Sequence, residues 1–170
     1  YGDETAELDE DFVLRLHAPS NAVIENGTGR CLILSDDRAD YLSPSALVTD
    51  TNRMLLYVAQ SSGRRVDVVD LKTEMLEDVI ALPQNPSGLA LSPGGATLYV
   101  TAGVASGVVH VVDAVTLSVT ETIPVGHSPR APLWAETNRL YLCEQFNNAV
   151  SVVDPTLGQV VGRISVLREP

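Results

Sequence analysis

Apolar and polar positions along this chain alternate in short runs, and the runs recur. From Leu98 the sequence reads Leu-Tyr-Val-Thr-Ala. After a short loop comes Gly-Val-Val-His-Val-Val-Asp from Gly107, then Ser-Val-Thr-Glu-Thr-Ile-Pro-Val-Gly-His-Ser-Pro from Ser118. Short β-branched runs bounded by Gly, Pro, Ser and Asp are strand signals, and no helical period runs between Leu98 and Pro129. Leu-Leu-Tyr-Val at Leu55–Val58 precedes this stretch and Leu-Tyr-Leu at Leu140–Leu142 follows it. The three tyrosines, Tyr57, Tyr99 and Tyr141, stand 42 residues apart. The aspartates that end the next strand, Asp70, Asp113 and Asp154, keep nearly the same interval.

A period of this length built from four short strands predicts the blade of a β-propeller. Three units follow from it: 44–85, 86–128 and 129–170. Each opens with a proline before a short strand, at Ser45–Val48, Ser87–Leu91 and Arg130–Trp134. A turn leads to the tyrosine strand, then a variable loop, then the strand ending in Asp. A fourth strand closes each unit near Val79-Ile80, Thr122-Ile123 and Arg163-Ile164. The fold class expected is all-β, a partial propeller of three four-stranded antiparallel blades. The first strands should line a central channel and the fourth strands form the outer edge. Asp70, Asp113 and Asp154 are followed by Thr73, Thr116 and Thr156, so Asx-turns closing the hairpins account for them without catalytic or metal chemistry.

Residues 44–170 resemble the YVTN-family β-propeller repeat. Unit two carries Tyr99-Val100-Thr101, and the aspartates and the Ile123-Pro-Val-Gly-x-x-Pro129 hinge fit the same pattern. Unit one departs with Tyr57-Val58-Ala59-Gln60 and unit three with Tyr141-Leu142-Cys143-Glu144. Unit three, through Asn147-Asn148-Ala149-Val150-Ser151 to Val166–Pro170, is also similar to propellers fused to di-haem cytochrome c peroxidase-like domains. That likeness implies haem domains outside the sequence, since no haem-attachment spacing occurs within it.

The amino-terminal segment differs. Phe12, Leu14 and Leu16 alternate with Val13, Arg15 and His17 as in a half-buried strand, and Cys31, Ile33 and Ser35 alternate with Leu32 and Leu34 in a second. Asn26-Gly27-Thr28-Gly29 marks a turn and also forms an N-glycosylation sequon. With Asp3, Glu7 and Glu10 ahead of the first strand and Asp36-Asp37 after the second, residues 2–37 resemble the last third of a Calx-β domain, an immunoglobulin-like sandwich. The domain reading is therefore 1–37 Calx-β-like strands, 38–43 linker and 44–170 blades. The resemblance implies a partial calcium site at Asp3, Glu7, Glu10, Asp36 and Asp37. A solvated acidic edge that discourages strand pairing is the alternative.

Charge narrows the partners. Formal net charge is −11, which argues against nucleic-acid binding and against adhesion to anionic lipid. No apolar run approaches the roughly 18 residues that span a bilayer. Cys31 and Cys143 lie in strand-like runs of different units and read as buried small hydrophobes. The chain begins at Tyr1 without Met or signal peptide, and reads as processed or cut from something larger.

Function is sought where the three copies differ. The loops 60–65, 103–107 and 144–148, with 84–85 and 126–128, should emerge on one face. Its binding candidates are Arg64, Arg65, His127, Arg130, Trp134, Glu144, Phe146, Asn147 and Asn148. No nucleophile elbow, phosphate loop or paired catalytic carboxylate is present, so the chain is not expected to catalyse by itself. The expectation is a non-catalytic binding module of a secreted or cell-envelope protein (extracellular, periplasmic or cell surface), with a protein or small-molecule ligand. The alternative is an accessory propeller of a di-haem peroxidase-like redox enzyme. Pro170 falls in the register of Pro44, Pro86 and Pro129, so further blades or self-association are expected to cover the end units.

Overall fold

The computed structural model describes residues 10–33, 42–135 and 138–166. The chain divides into two units, Tyr1–Tyr41 and Leu42–Pro170, and the described residues form strands and turns with no helix.

In the larger unit the first sheet consists of β3 (Pro44–Asp50), β4 (Leu55–Gln60), β5 (Arg65–Asp70) and β6 (Met75–Ala81). The second holds β7 (Pro86–Leu91), β8 (Thr97–Ala102), β9 (Val108–Asp113) and β10 (Ser118–Pro124). The third holds β11 (Pro129–Ala135), β12 (Arg139–Glu144), β13 (Ala149–Asp154) and β14 (Gln159–Ser165). Each is an antiparallel meander in chain order, and β7 packs beside both β3 and β11. Three blades thus stand side by side with their first strands adjoining.

Turn chemistry explains why the units repeat. Asp70 Oδ1 accepts from the amides of Lys72 and Thr73 at 2.6 and 2.9 Å. Asp113 does the same for Val115 and Thr116 at 2.8 and 2.9 Å, and Asp154 for Thr156 and Leu157 at 2.9 and 3.3 Å. The next turn residue takes a left-handed backbone: Glu74, Leu117 and Gly158. Backbone hydrogen bonds hold the carboxyls of Asp70 and Asp113 below the usual range. They act as caps, as the sequence indicated. A register shift recurs where each third strand meets the fourth, at Val68/Val69, Val119/Glu121 and Val152/Val153, and such bulges increase local twist.

The two faces of each sheet are distinct. From the first blade, Tyr57, Val66, Val68 and Ile80 form one core with Leu98, Val100, Val112 and Ala114 of the second. The other face of the second blade supplies Tyr99, Val109 and Ile123 to a second core with Leu140, Leu142 and Val153. Each tyrosine thus faces the following blade. Among the described residues Tyr141 has no such cover and is only partly buried, and Ile164 and Val166 on the same face are about half exposed, 51% and 48%.

A polar clamp closes the first interface at its turn end. Arg53 Nε donates to Asp50 Oδ2 at 2.6 Å, and its two terminal nitrogens donate to the carbonyls of Gly95 and Ala114 in the second blade. Burial raises the Asp50 carboxyl, but the bonds and charge of Arg53 outweigh it and the pKa lies below the usual value.

In the smaller unit the described residues form a hairpin of β1 (Glu10–Arg15) and β2 (Thr28–Ile33). Phe12, Val13 and Leu14 are all exposed, so both faces of the strand are open where half-burial was expected. Two strands alone supply no layer to bury against. Cys31 and Cys143 are also exposed, which corrects their reading as core residues. Cys31 lies on this thin hairpin, and Cys143 shares the uncovered face of the third blade with Tyr141.

If face-to-face packing holds the blades, truncating the three tyrosines has unequal effects. Tyr57→Ala and Tyr99→Ala should each cost about 3 kcal/mol, as expected for a buried aromatic, and Tyr141→Ala less than about 1 kcal/mol. Urea midpoints of the three variants test this, and equal losses would contradict it.

Candidate functional site

The loops between second and third strands and those between blades gather at one end and bond to one another. Gly103 N donates to Asn85 O at 3.3 Å, Ser128 N to Val104 O at 2.8 Å, Gln145 N to Ser128 O at 3.3 Å and Ser61 N to Ser43 O at 2.8 Å. Backbone groups in these loops are thereby satisfied within the fold, which fixes their shape. At the centre lies a cleft of about 270 Å³ to which all three blades contribute, including Ser45, Ser61, Asn85, Ser87, Ser128 and Arg130. Ser87 Oγ donates to Pro129 O at 2.5 Å across the second interface. A neighbouring cleft of about 230 Å³ carries Arg64, Gln84 and Asn85.

The candidates read from sequence divide by position. Arg64, Arg130, Phe146, Asn147 and Asn148 are exposed. Arg64 and Asn148 hold left-handed backbones in equivalent hairpin loops. His127 stands edge-on to Phe146 with ring centroids 4.9 Å apart, and its Nδ1 lies 3.0 Å from Ser128 Oγ. Arg65 is committed to Asp67, Nε to Oδ1 at 2.8 Å. Trp134 stacks on Tyr99 at 5.1 Å and packs against the second core, so most of its role there is structural.

Glu144 is internal. It was grouped with the exposed loop that follows it, yet it is 1% exposed. Its Oε1 accepts from Gly126 N at 2.8 Å and from Ser151 Oγ, and Arg163 Nε reaches Oε2 at 3.4 Å. The carboxylate therefore ties the third blade to the linker before it. A side chain at Gly126 would run into that carboxylate, which makes glycine a steric requirement there.

Among the buried polar residues that the sequence pattern does not single out are Asp67, His110 and Ser151. They are equivalent positions, and each interrupts a run of valines: Val66-Asp67-Val68, Val109-His110-Val111 and Val150-Ser151-Val152. That interruption is the signal that would have found them. Asp67 accepts from Gln60 Nε2 at 2.7 Å, as Ser151 bonds Glu144. His110 Nδ1 lies 2.9 Å from Thr122 Oγ1, while its Nε2 is buried without a partner. Desolvation holds its pKa below the usual imidazole value.

Among the described residues, no group of three or more His, Cys, Asp or Glu side chains is placed to hold a metal ion. Asp3, Glu7, Asp36 and Asp37 of the calcium expectation lie outside the described residues, as does the Glu10 side chain. No described helix is long and apolar enough to cross a membrane.

Stacked four-stranded blades with a loop-built cleft at one end define a propeller-like β protein. Antigen Lp49 of Leptospira interrogans serogroup Icterohaemorrhagiae serovar copenhageni (strain Fiocruz L1-130) is 28% identical over 142 residues, covering 72% of this chain and 31% of that protein. The solved structure of Kuenenia stuttgartiensis hydrazine synthase superposes with a TM-score of 0.68 at 26% identity, over 75% of this chain and 37% of that one. The chain thus spans about a third of the length of each. No family model matches the sequence.

Two outcomes test this geometry. Gly126→Ala should lower stability by about 2 kcal/mol, the scale of a forced overpacking, and Gly94→Ala, which meets open space, should not; equal urea midpoints for the two would refute it. His110 gives a pH dependence. Because the folded state holds it neutral, the unfolded chain takes up the proton first, so stability is full above about pH 6.5 and declines below it. Urea midpoints between pH 7.5 and 5 should fall, and His110→Gln should flatten the slope.

Proposed function

We propose that this chain is a non-catalytic propeller-type binding module that engages its partner through the loop-bearing end. The observation that carries the reading is the mutual hydrogen bonding of loops from all three blades around one cleft. Recognition residues are commonly borne on loops held by a rigid scaffold. Exposed Phe146, braced by His127, supplies an apolar contact beside the cleft. The resemblances to the YVTN repeat and, in residues 2–37, to a Calx-β domain support the same reading. Likeness to a protein named as an antigen supports an extracellular, periplasmic or cell-surface setting.

A second reading is an accessory propeller of a redox enzyme with haem domains elsewhere. The structural likeness to hydrazine synthase, an enzyme by name, favours it over a part of that chain. The binding-module reading needs fewer additions, because the cleft and the loops that build it lie within the described residues.

A photo-crosslinking amino acid at Phe146 should capture a partner from the envelope fraction of the source cells. The same group at Val115, exposed at the opposite end of the blades, should not. Equal capture from both ends, or none from Phe146, would overturn the proposal.

A further inference from the structure

The cleft at the blade mouth departs from the rest of the molecule in charge. The protein carries 22 acidic against 11 basic residues, yet no acidic residue lines either cleft at the loop-bearing end. Among the described residues the two carboxylates near that end are buried and committed, Asp67 to Arg65 and Glu144 to Arg163. Arg64 and Arg130 remain exposed and form no ion pair among the described residues. The acids Asp70, Glu74, Asp113 and Asp154 sit instead in or beside the turns at the other end of the blades.

Arg130 occupies the position in β11 that Ser45 holds in β3 and Ser87 in β7, the second residue of the first strand. Ser45, Ser87 and Arg130 all line the one cleft, so the single arginine lies beside two serines. Asn85 adds an exposed amide with no partner among the described residues. The hydroxyls of Ser45 and Ser87 donate to the carbonyls of Ala59 and Pro129, which leaves the guanidinium and the Asn85 amide as the recess's free side-chain donors among the described residues. Arginine offers a planar fork matched to carboxylate and phosphate oxygens.

We infer that this cleft binds a small oxyanion-bearing molecule, with Arg130 as its charge partner and the Asn85 amide as a supporting donor. The inference rests on the loop-bearing end being the binding end, and adds the class of ligand. The geometry fits an anion for one further reason. Negative charge elsewhere on the surface repels anions, so an uncompensated cationic recess is the place where one is held.

The test is an NMR titration of the full chain with citrate, with inorganic phosphate and with glycerol as an uncharged control, at low ionic strength. Saturable shifts of the Ser45, Asn85 and Ser128 amides are expected with citrate, phosphate or both, and none with glycerol. Saturation by citrate alone identifies a carboxylate source, by phosphate alone a phosphoryl one. Arg130→Gln should weaken binding at least tenfold, while Arg64→Gln, in the neighbouring cleft, should change it less than twofold. No saturable shift, or equal loss in both variants, would overturn the inference. Position-specific crosslinking from Phe146 with no anion binding would overturn this inference alone and leave the binding-module reading standing.

Discussion

A four-stranded sheet has two faces, and covering them is the constraint on which everything else in this structure depends. The tyrosine face of one blade packs on the leucine and valine face of the next: Tyr57 and Val68 with Leu98 and Val112, then Tyr99 and Val109 with Leu140 and Val153. Burial of this kind is worth roughly 25 cal/mol per Å² of apolar surface, which outweighs any single turn or ion pair. Only the second blade has both faces covered within the described residues. It is the keystone on which the cleft is assembled, because Pro86, Ser87 and Gly103 come from it.

Polar groups then refine what the apolar faces position. At the turn end, Arg53 and Asp50 fasten the first blade to the carbonyls of the second. At the loop end, Glu144 fastens the third blade to Gly126. Buried charges of this sort cost more in desolvation than an isolated pair returns, unless further hydrogen bonds complete them. Glu144 has such bonds from a backbone amide, a hydroxyl and an arginine. The result is geometric definition: the linker is held where it forms one wall of the cleft.

The sequence disclosed what repeats and concealed what does not. Tyr57, Tyr99 and Tyr141, with three Asx-turn aspartates, marked strands and boundaries because each obeys a local rule that every copy shares. Burial was harder to read. Tyr141 and Cys143 have the composition of core residues, yet their exposure depends on what lies against their sheet, which no residue within the strand encodes. Phe12 and Leu14 alternate like a half-buried strand and are open on both faces for the same reason. Glu144 reads as a loop residue because Gln145 to Asn148 follow it. Its burial is set by Gly126, Ser151 and Arg163, contacts distant in sequence. Asp67, His110 and Ser151 were legible in principle, since a polar residue inside three valine runs is a pattern, but the pattern appears only when the copies are aligned.

The same logic separates scaffold from recognition. A residue type present in every copy serves the blade, so Asp70, Asp113 and Asp154 cap turns and make no site. Differences among copies are where selection can act without harming the repeat. At the mouth that difference is Ser45, Ser87 and Arg130. A serine at all three places would leave a neutral recess in an acidic protein; the arginine reverses the local field. Field effects of exposed charges fade within about 10 Å at moderate salt. The reversal therefore stays confined to the mouth, where it can select an anion without making the rest of the surface attractive to one.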